Sequence, residues 1–81
     1  MPSMHRVVLY GAAGCHLCED AASALRALQR VRAFDLVEVD IHDDAEIEKR
    51  YLFEIPVIEV DGIVVTQAPV EIDRVREAVA G

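Results

Sequence analysis

The chain has 81 residues, 53% of them hydrophobic, which is enough for one compact domain over residues 1–81 and too little for a second core. Fifteen acidic against eight basic side chains give a net charge of −7, and without a basic cluster to displace counterions this argues against nucleic acid and anionic membranes as partners. No segment offers the roughly 20 apolar residues of a membrane span, and the opening MPSMHRVVLYGAAG lacks a signal peptide's apolar stretch, so the expected location is the reducing cytoplasm.

Met4 to Tyr10 includes VVLY, β-branched and aromatic, and predicts a strand buried on both faces. Gly11 and Gly14 then interrupt the pattern. From Leu17, apolar residues recur at Ala21, Leu25 and Leu28, the spacing of one helix face. Glu19 and Asp20 stand at its start and Arg26 and Arg30 toward its end, as the macrodipole favours. FDLVEVDI, from Phe34 to Ile41, predicts a second strand, and two strands joined by a helix make a parallel βαβ unit. Asp43 and Glu46 form a capping pair for a short helix that brings Ile47 and Tyr51 together. That helix has no glycine at its end, where Leu52 or Phe53 stands instead. Asp61-Gly62 between apolar runs predicts a type I′ hairpin of Val57–Val60 and Ile63–Thr66. Pro69 opens a last helix, with Glu71 and Asp73 in its first turn and Ile72, Val75 and Val79 as its buried stripe. The order βαβαββα is an α/β fold, an α+β sandwich in which helices flank a four-stranded mixed sheet.

GAAGCHLCED holds both cysteines of the chain, Cys15 and Cys18, at the first junction of strand and helix. As a static clip the pair is poorly placed. Bridging so short a loop restricts the unfolded chain by only about 2 kcal/mol, against about 3 for a 15-residue loop. Zinc asks for four ligands; C-x-x-C supplies two, and His5 and His42 lie far off in sequence. Copper(I) needs only two thiolates, so a soft-metal carrier remains an alternative. Carriers of that kind run βαββαβ with Met two residues before the first Cys, where this chain has Ala13. Redox chemistry accounts best for the placement. At a helix start, Cys15 meets unpaired N–H groups and the positive end of the dipole, which lowers a thiol ordinarily near 8.5 by roughly 0.2–1.5. Cys18, one turn further in, is shielded and within reach of its neighbour, and so is the candidate resolving thiol.

VVLYGAAGCHLCEDA, FDLVEVDI and EIPVIEVDGIVV together resemble the glutaredoxin-like branch of the thioredoxin-fold proteins, over about Arg6 to Val79. The resemblance implies a thioredoxin-like fold and a thiol–disulfide oxidoreductase that reduces or exchanges disulfides of protein or small-molecule substrates. It implies a cis Ile55–Pro56 bond lying against the cysteines, with the Ile55 backbone free to pair with an extended substrate. Ile55, Pro56, His16 and Leu17 are then the substrate-binding residues, and Cys15 and Cys18 the catalytic ones. Members that use glutathione carry Pro-Tyr between the cysteines, Thr-Val before the proline and Gly-Gly-x-Asp after the last strand. Here those places read His16-Leu17, Glu54-Ile55 and Thr66-Gln67-Ala68-Pro69. Glu54 and the acidic surface oppose a glutathione anion. The expected electron source is an external thiol donor, namely a thioredoxin reductase-like partner, another dithiol protein or a glutathione-linked reductant. The expected protein is a monomer with no bound cofactor and no metal. An adaptor that kept the cysteines but lost turnover is a further alternative.

His16 has two readings, an imidazolium that steadies the Cys15 thiolate or an exposed residue facing water. Glu19 and Asp20 read as a solvated acidic first turn, Tyr10 as packing or pocket wall, and His5 and His42 as surface residues.

Overall fold

A computed structural model describes residues 4–80; residues 1–3 and 81, which include the start of the N-terminal stretch considered above, lie outside the described residues. The elements run β1 (Arg6–Gly11), α1 (His16–Gln29), β2 (Asp35–Asp40), a 3₁₀ turn (Ile41–Asp43), α2 (Ala45–Tyr51), β3 (Val57–Val60), β4 (Ile63–Gln67) and α3 (Ile72–Ala78). The four strands form one mixed sheet in the order β2-β1-β3-β4. β1 pairs parallel with β2 through the α1 crossover and antiparallel with β3, and β3 pairs antiparallel with β4. This is the expected α/β architecture.

Alternation along the strands divides the core between the two faces. Leu9↔Ile58 and Val7↔Val60 share one face, where Leu25 and Leu28 of α1 and Val75 of α3 pack on them. Phe34, just before β2, is buried in the same cluster. Tyr10↔Val57 lies on the other face, covered by Ile47 and Tyr51 of α2 together with Ile41. β1 is therefore less enclosed than its apolar run predicted: Val7 and Leu9 are buried, whereas Val8 and Tyr10 are half-buried because the short α2 covers only part of its face.

On that second face Tyr10 and Tyr51 stack with centroids 4.9 Å apart, and both hydroxyls donate to Glu59, at 3.3 and 3.0 Å. Burial, then the Glu59 carboxylate, raises both phenols above their ordinary value. Among the described residues no helix is long and apolar enough to cross a membrane.

The hairpin forms where Asp61-Gly62 predicted it. Both residues have positive φ, 52° and 87°, as a type I′ turn requires. Asp61 also ties the turn to the start of β1: its carboxylate accepts the Arg6 N–H at 2.9 Å and meets His5 Nδ1 at 2.5 Å. The Arg6 amide, then the His5 ring, holds the Asp61 carboxyl below the usual carboxylate range. A register shift between Ile58 and Glu59 carries β4 one residue beyond the expected end, to Gln67.

Two expectations need correction. The cap of α2 is Asp44, not Asp43: its carboxylate accepts from the N–H of Glu46 at 2.9 Å and of Ile47 at 3.3 Å. Ile41, fully buried, begins a 3₁₀ turn over Ile41–Asp43 that consumes Asp43, and Asp40 caps that turn. Pro69 does not open α3. The helix starts at Ile72 after Glu71, whose N–H is taken by the Thr66 hydroxyl at 3.0 Å, so residues 68–70 form a connector beside the sheet, with a cis Ala68–Pro69 bond.

Candidate active site

β1 ends at Gly11, and the turn that follows makes Cys15 the N-cap of α1, with φ −90° and ψ 106°. Its Sγ accepts the Cys18 backbone N–H at 3.1 Å, the role usually filled by a Ser or Asp oxygen. The Glu19 N–H closes the first helical turn on the Cys15 carbonyl at 3.0 Å. The Cα atoms of the cysteines are 5.2 Å apart and the two sulfurs are within bonding reach, joined as a disulfide. Cys15 is half-buried, while Cys18 is only 6% exposed.

Close packing of strand end and helix start depends on Gly11. A Cβ built there would stand 3.0 Å from Cys18 Cβ and 3.1 Å from its Sγ. Any larger residue displaces the buried cysteine or the strand.

The Ile55–Pro56 bond is cis, as the resemblance implied. Pro56 is buried and Ile55 half-buried just before β3. Among the described residues, neither the N–H nor the C=O of Ile55 enters a backbone hydrogen bond outside the regular elements. A groove of about 350 Å³ is lined by Leu17 and Ala24 of α1 and by Pro56, Pro69, Val70 and Ile72. On the other side of α1 a more polar cavity of about 400 Å³ reaches Gly11, Cys18 and Asp40. The Arg26–Glu38 ion pair, at 2.8 Å, lies on its wall.

Residues 6–80 match the sequence model of the glutaredoxin-like domain (DUF836). The chain belongs to that family. A Nitrosomonas europaea protein solved by NMR superposes on the glutaredoxin-like chain with a TM-score of 0.85 at 25% identity, covering 98% of this chain and 95% of that one. A structural-genomics target protein of X. campestris, solved by X-ray diffraction, is 35% identical with a TM-score of 0.69, covering 88% and 91%. Thioredoxin 1 of Thermosipho africanus shares the fold, with a TM-score of 0.67 at 11% identity over 93% and 90% of the two chains. No curated protein matches the chain.

In this glutaredoxin-like chain the residues singled out by sequence divide between the pair and its surroundings. Leu17 lines the groove together with Pro56 and is 60% exposed. His16 is 94% exposed, with its Nδ1 3.8 Å from Glu19, so its ring faces water rather than a protein pocket. Glu54 is exposed and accepts from Gln67 Nε2 at 3.4 Å. His5 pairs with Asp61 and His42 with Glu48, both away from the cysteines in sequence. Among the described residues no group of three or more His, Cys, Asp or Glu side chains gathers as a metal site.

Sequence reasoning missed the groove wall formed by Pro69, Val70 and Ile72, and the close approach at Gly11. A second X-Pro dipeptide after the hairpin, and a glycine closing the strand ahead of the motif, were the available signals.

Proposed function

We propose that the protein is a thiol–disulfide oxidoreductase in which Cys15 attacks and Cys18 resolves. The observation that carries this reading is the Cys15 Sγ used as the cap of α1, with the Cys18 N–H directed at it. A donor and the positive helix end at one sulfur favour the thiolate, the form that attacks disulfides. The more exposed cysteine meets substrate, and the buried one closes on it afterwards.

The Cys15 thiolate attacks one sulfur of a substrate disulfide. That bond breaks, a Cys15–substrate bond forms, and the departing thiolate takes a proton from water. Cys18, as its thiolate, then attacks the Cys15 sulfur and releases the second substrate thiol. Two electrons pass to the substrate, and the protein keeps the Cys15–Cys18 disulfide. An external thiol donor, a thioredoxin reductase-like partner or another dithiol protein, restores the reduced pair in a reducing cytoplasm. The open backbone of Ile55 supports this reading, because a substrate main chain can pair with it as an added strand.

The test is trapping. Cys18→Ser accumulates mixed disulfides detectable by mass, whereas Cys15→Ser accumulates none. Equal trapping by both variants, or by neither, refutes the assigned roles.

A further inference from the structure

The groove beside Leu17 carries chemistry that the cysteines alone do not specify. Its walls are aliphatic, and Asp20 is the one charged residue lining it among the described residues. Two of the lining residues, Pro56 and Pro69, have no N–H to offer. An anionic group placed here loses water and meets neither a cation nor a ready row of amides, which is costly. An apolar side chain placed here loses unfavourable contact with water instead. With about 350 Å³ the groove is at the small end of the roughly 300–1,000 Å³ of ligand sites, so it suits side chains of a polypeptide rather than a large free ligand.

The charge on the groove wall is acidic, and the nearby Arg74 is paired with Glu71 at 2.9 Å. Asp20 stands on the wall, Glu54 lies two residues before Pro56, and its carboxylate is held by Gln67, the neighbour of Ala68 on the wall. The whole chain carries −7.

We propose that this groove selects, for the oxidoreductase described above, a protein disulfide whose cysteine is flanked by an apolar side chain and a cationic one. The inference rests on that activity. The apolar side chain enters between Leu17, Pro56 and Ile72, and the cation lies against Asp20 and Glu54. The groove thereby disfavours glutathione, whose two carboxylates meet only acid and hydrocarbon. The electron balance is that of the exchange above: the two electrons come from the reduced Cys15–Cys18 pair, which ends as the disulfide while the two substrate sulfurs leave as thiols.

The experiment uses full-length protein, pre-reduced and freed of reductant. It is mixed with short peptides bearing one mixed disulfide to a common chromophoric thiol, with Phe and Lys, Ser and Lys, or Phe and Glu beside the cysteine. Glutathione carrying the same chromophore and the small neutral bis(2-hydroxyethyl) disulfide complete the set. Each chromophore-release rate is divided by that with dithiothreitol, which removes intrinsic reactivity. The Phe–Lys peptide is expected to exceed Ser–Lys by about tenfold. It should exceed Phe–Glu by about two- to fivefold. Asp20 is exposed, so Asp20→Lys should fold, and it should invert the Lys-over-Glu preference.

Equal rates for all peptides, a fastest reaction with the glutathione conjugate, or an unchanged Lys-to-Glu ratio in Asp20→Lys each overturn the groove assignment. If the peptides are indistinguishable but the neutral disulfide is reduced, only the groove proposal fails. If no disulfide, neutral or peptide, is reduced, the oxidoreductase reading fails with it.

Discussion

Replacing Gly11 by alanine tests the packing that holds the cysteine pair. The added methyl would lie 3.0 Å from Cys18 Cβ and 3.1 Å from Sγ, tighter than ordinary carbon contacts, so something must move by a few tenths of an ångström. Neither neighbour moves easily, since Cys18 is buried in the first turns of α1 and Gly11 belongs to a strand paired on both sides. Overpacking of this kind costs about 1–3 kcal/mol. Replacing glycine offsets about 0.4–1 kcal/mol of that through the unfolded chain. A net loss of about 1 kcal/mol corresponds to a Tm lower by about 4–8 °C in a domain of this size. The oxidised protein should lose more than the reduced one, because the bond to Cys15 stops the Cys18 sulfur from swinging aside. A difference of about 1 kcal/mol between the two forms raises the reduction potential by about 20 mV, at about 30 mV per 1.4 kcal/mol. Calorimetry of both forms, with a redox titration, reads these quantities. A Gly11→Ala variant as stable as the parent in both forms would refute the argument that Gly11 is required by close approach.

Asp44→Ala removes a side chain that caps α2 through two backbone amides and should lower stability by about 1 kcal/mol in urea unfolding, while Asp43→Ala should cost a few tenths. The reverse ranking would return the cap to Asp43. The chain has two tyrosines and no tryptophan, so absorbance of the phenolates reports Tyr10 and Tyr51 alone. Both should titrate above their ordinary value, near pH 10, and Glu59→Gln should bring the midpoints down while burial keeps them raised. The sign for stability follows: a phenol whose folded pKa exceeds its unfolded one stabilises below about pH 10, and that contribution is lost as pH rises through the folded value. Midpoints unmoved by Glu59→Gln would contradict the two hydrogen bonds to that carboxylate.

Elements whose identity is set by neighbours in sequence were legible. Asp61-Gly62 fixes a hairpin register by local geometry, and the α1 stripe of Ala21, Leu25 and Leu28 follows the helical period. The α2 cap was misplaced because Asp43 and Asp44 are equivalent as sequence. What separates them is the burial of Ile41, a tertiary event that spends Asp43 on a 3₁₀ turn. Pro69 was legible as a break, but its place depends on Thr66 holding the Glu71 amide five residues away. The Cys15 and Cys18 positions were readable from spacing alone. The cis bond at Pro56 came from family likeness, since nothing in the residues themselves departs from the trans default. The groove needs α1, the Pro56 turn and the 68–72 connector together, and no single stretch of sequence announces it.

Using a cysteine as the helix cap has a consequence for how such a chain can drift over generations. A descendant that gave up thiol chemistry can exchange Cys15 for serine, keep a hydroxyl oxygen on the same amide, and lose little of the helix start. Cys18, pressed beneath Gly11, gains nothing of that kind: serine fits the space but buries a hydroxyl with no role there, so alanine is its natural heir. Retired members of this lineage should therefore bear Ser-x-x-Ala in place of the paired sulfurs.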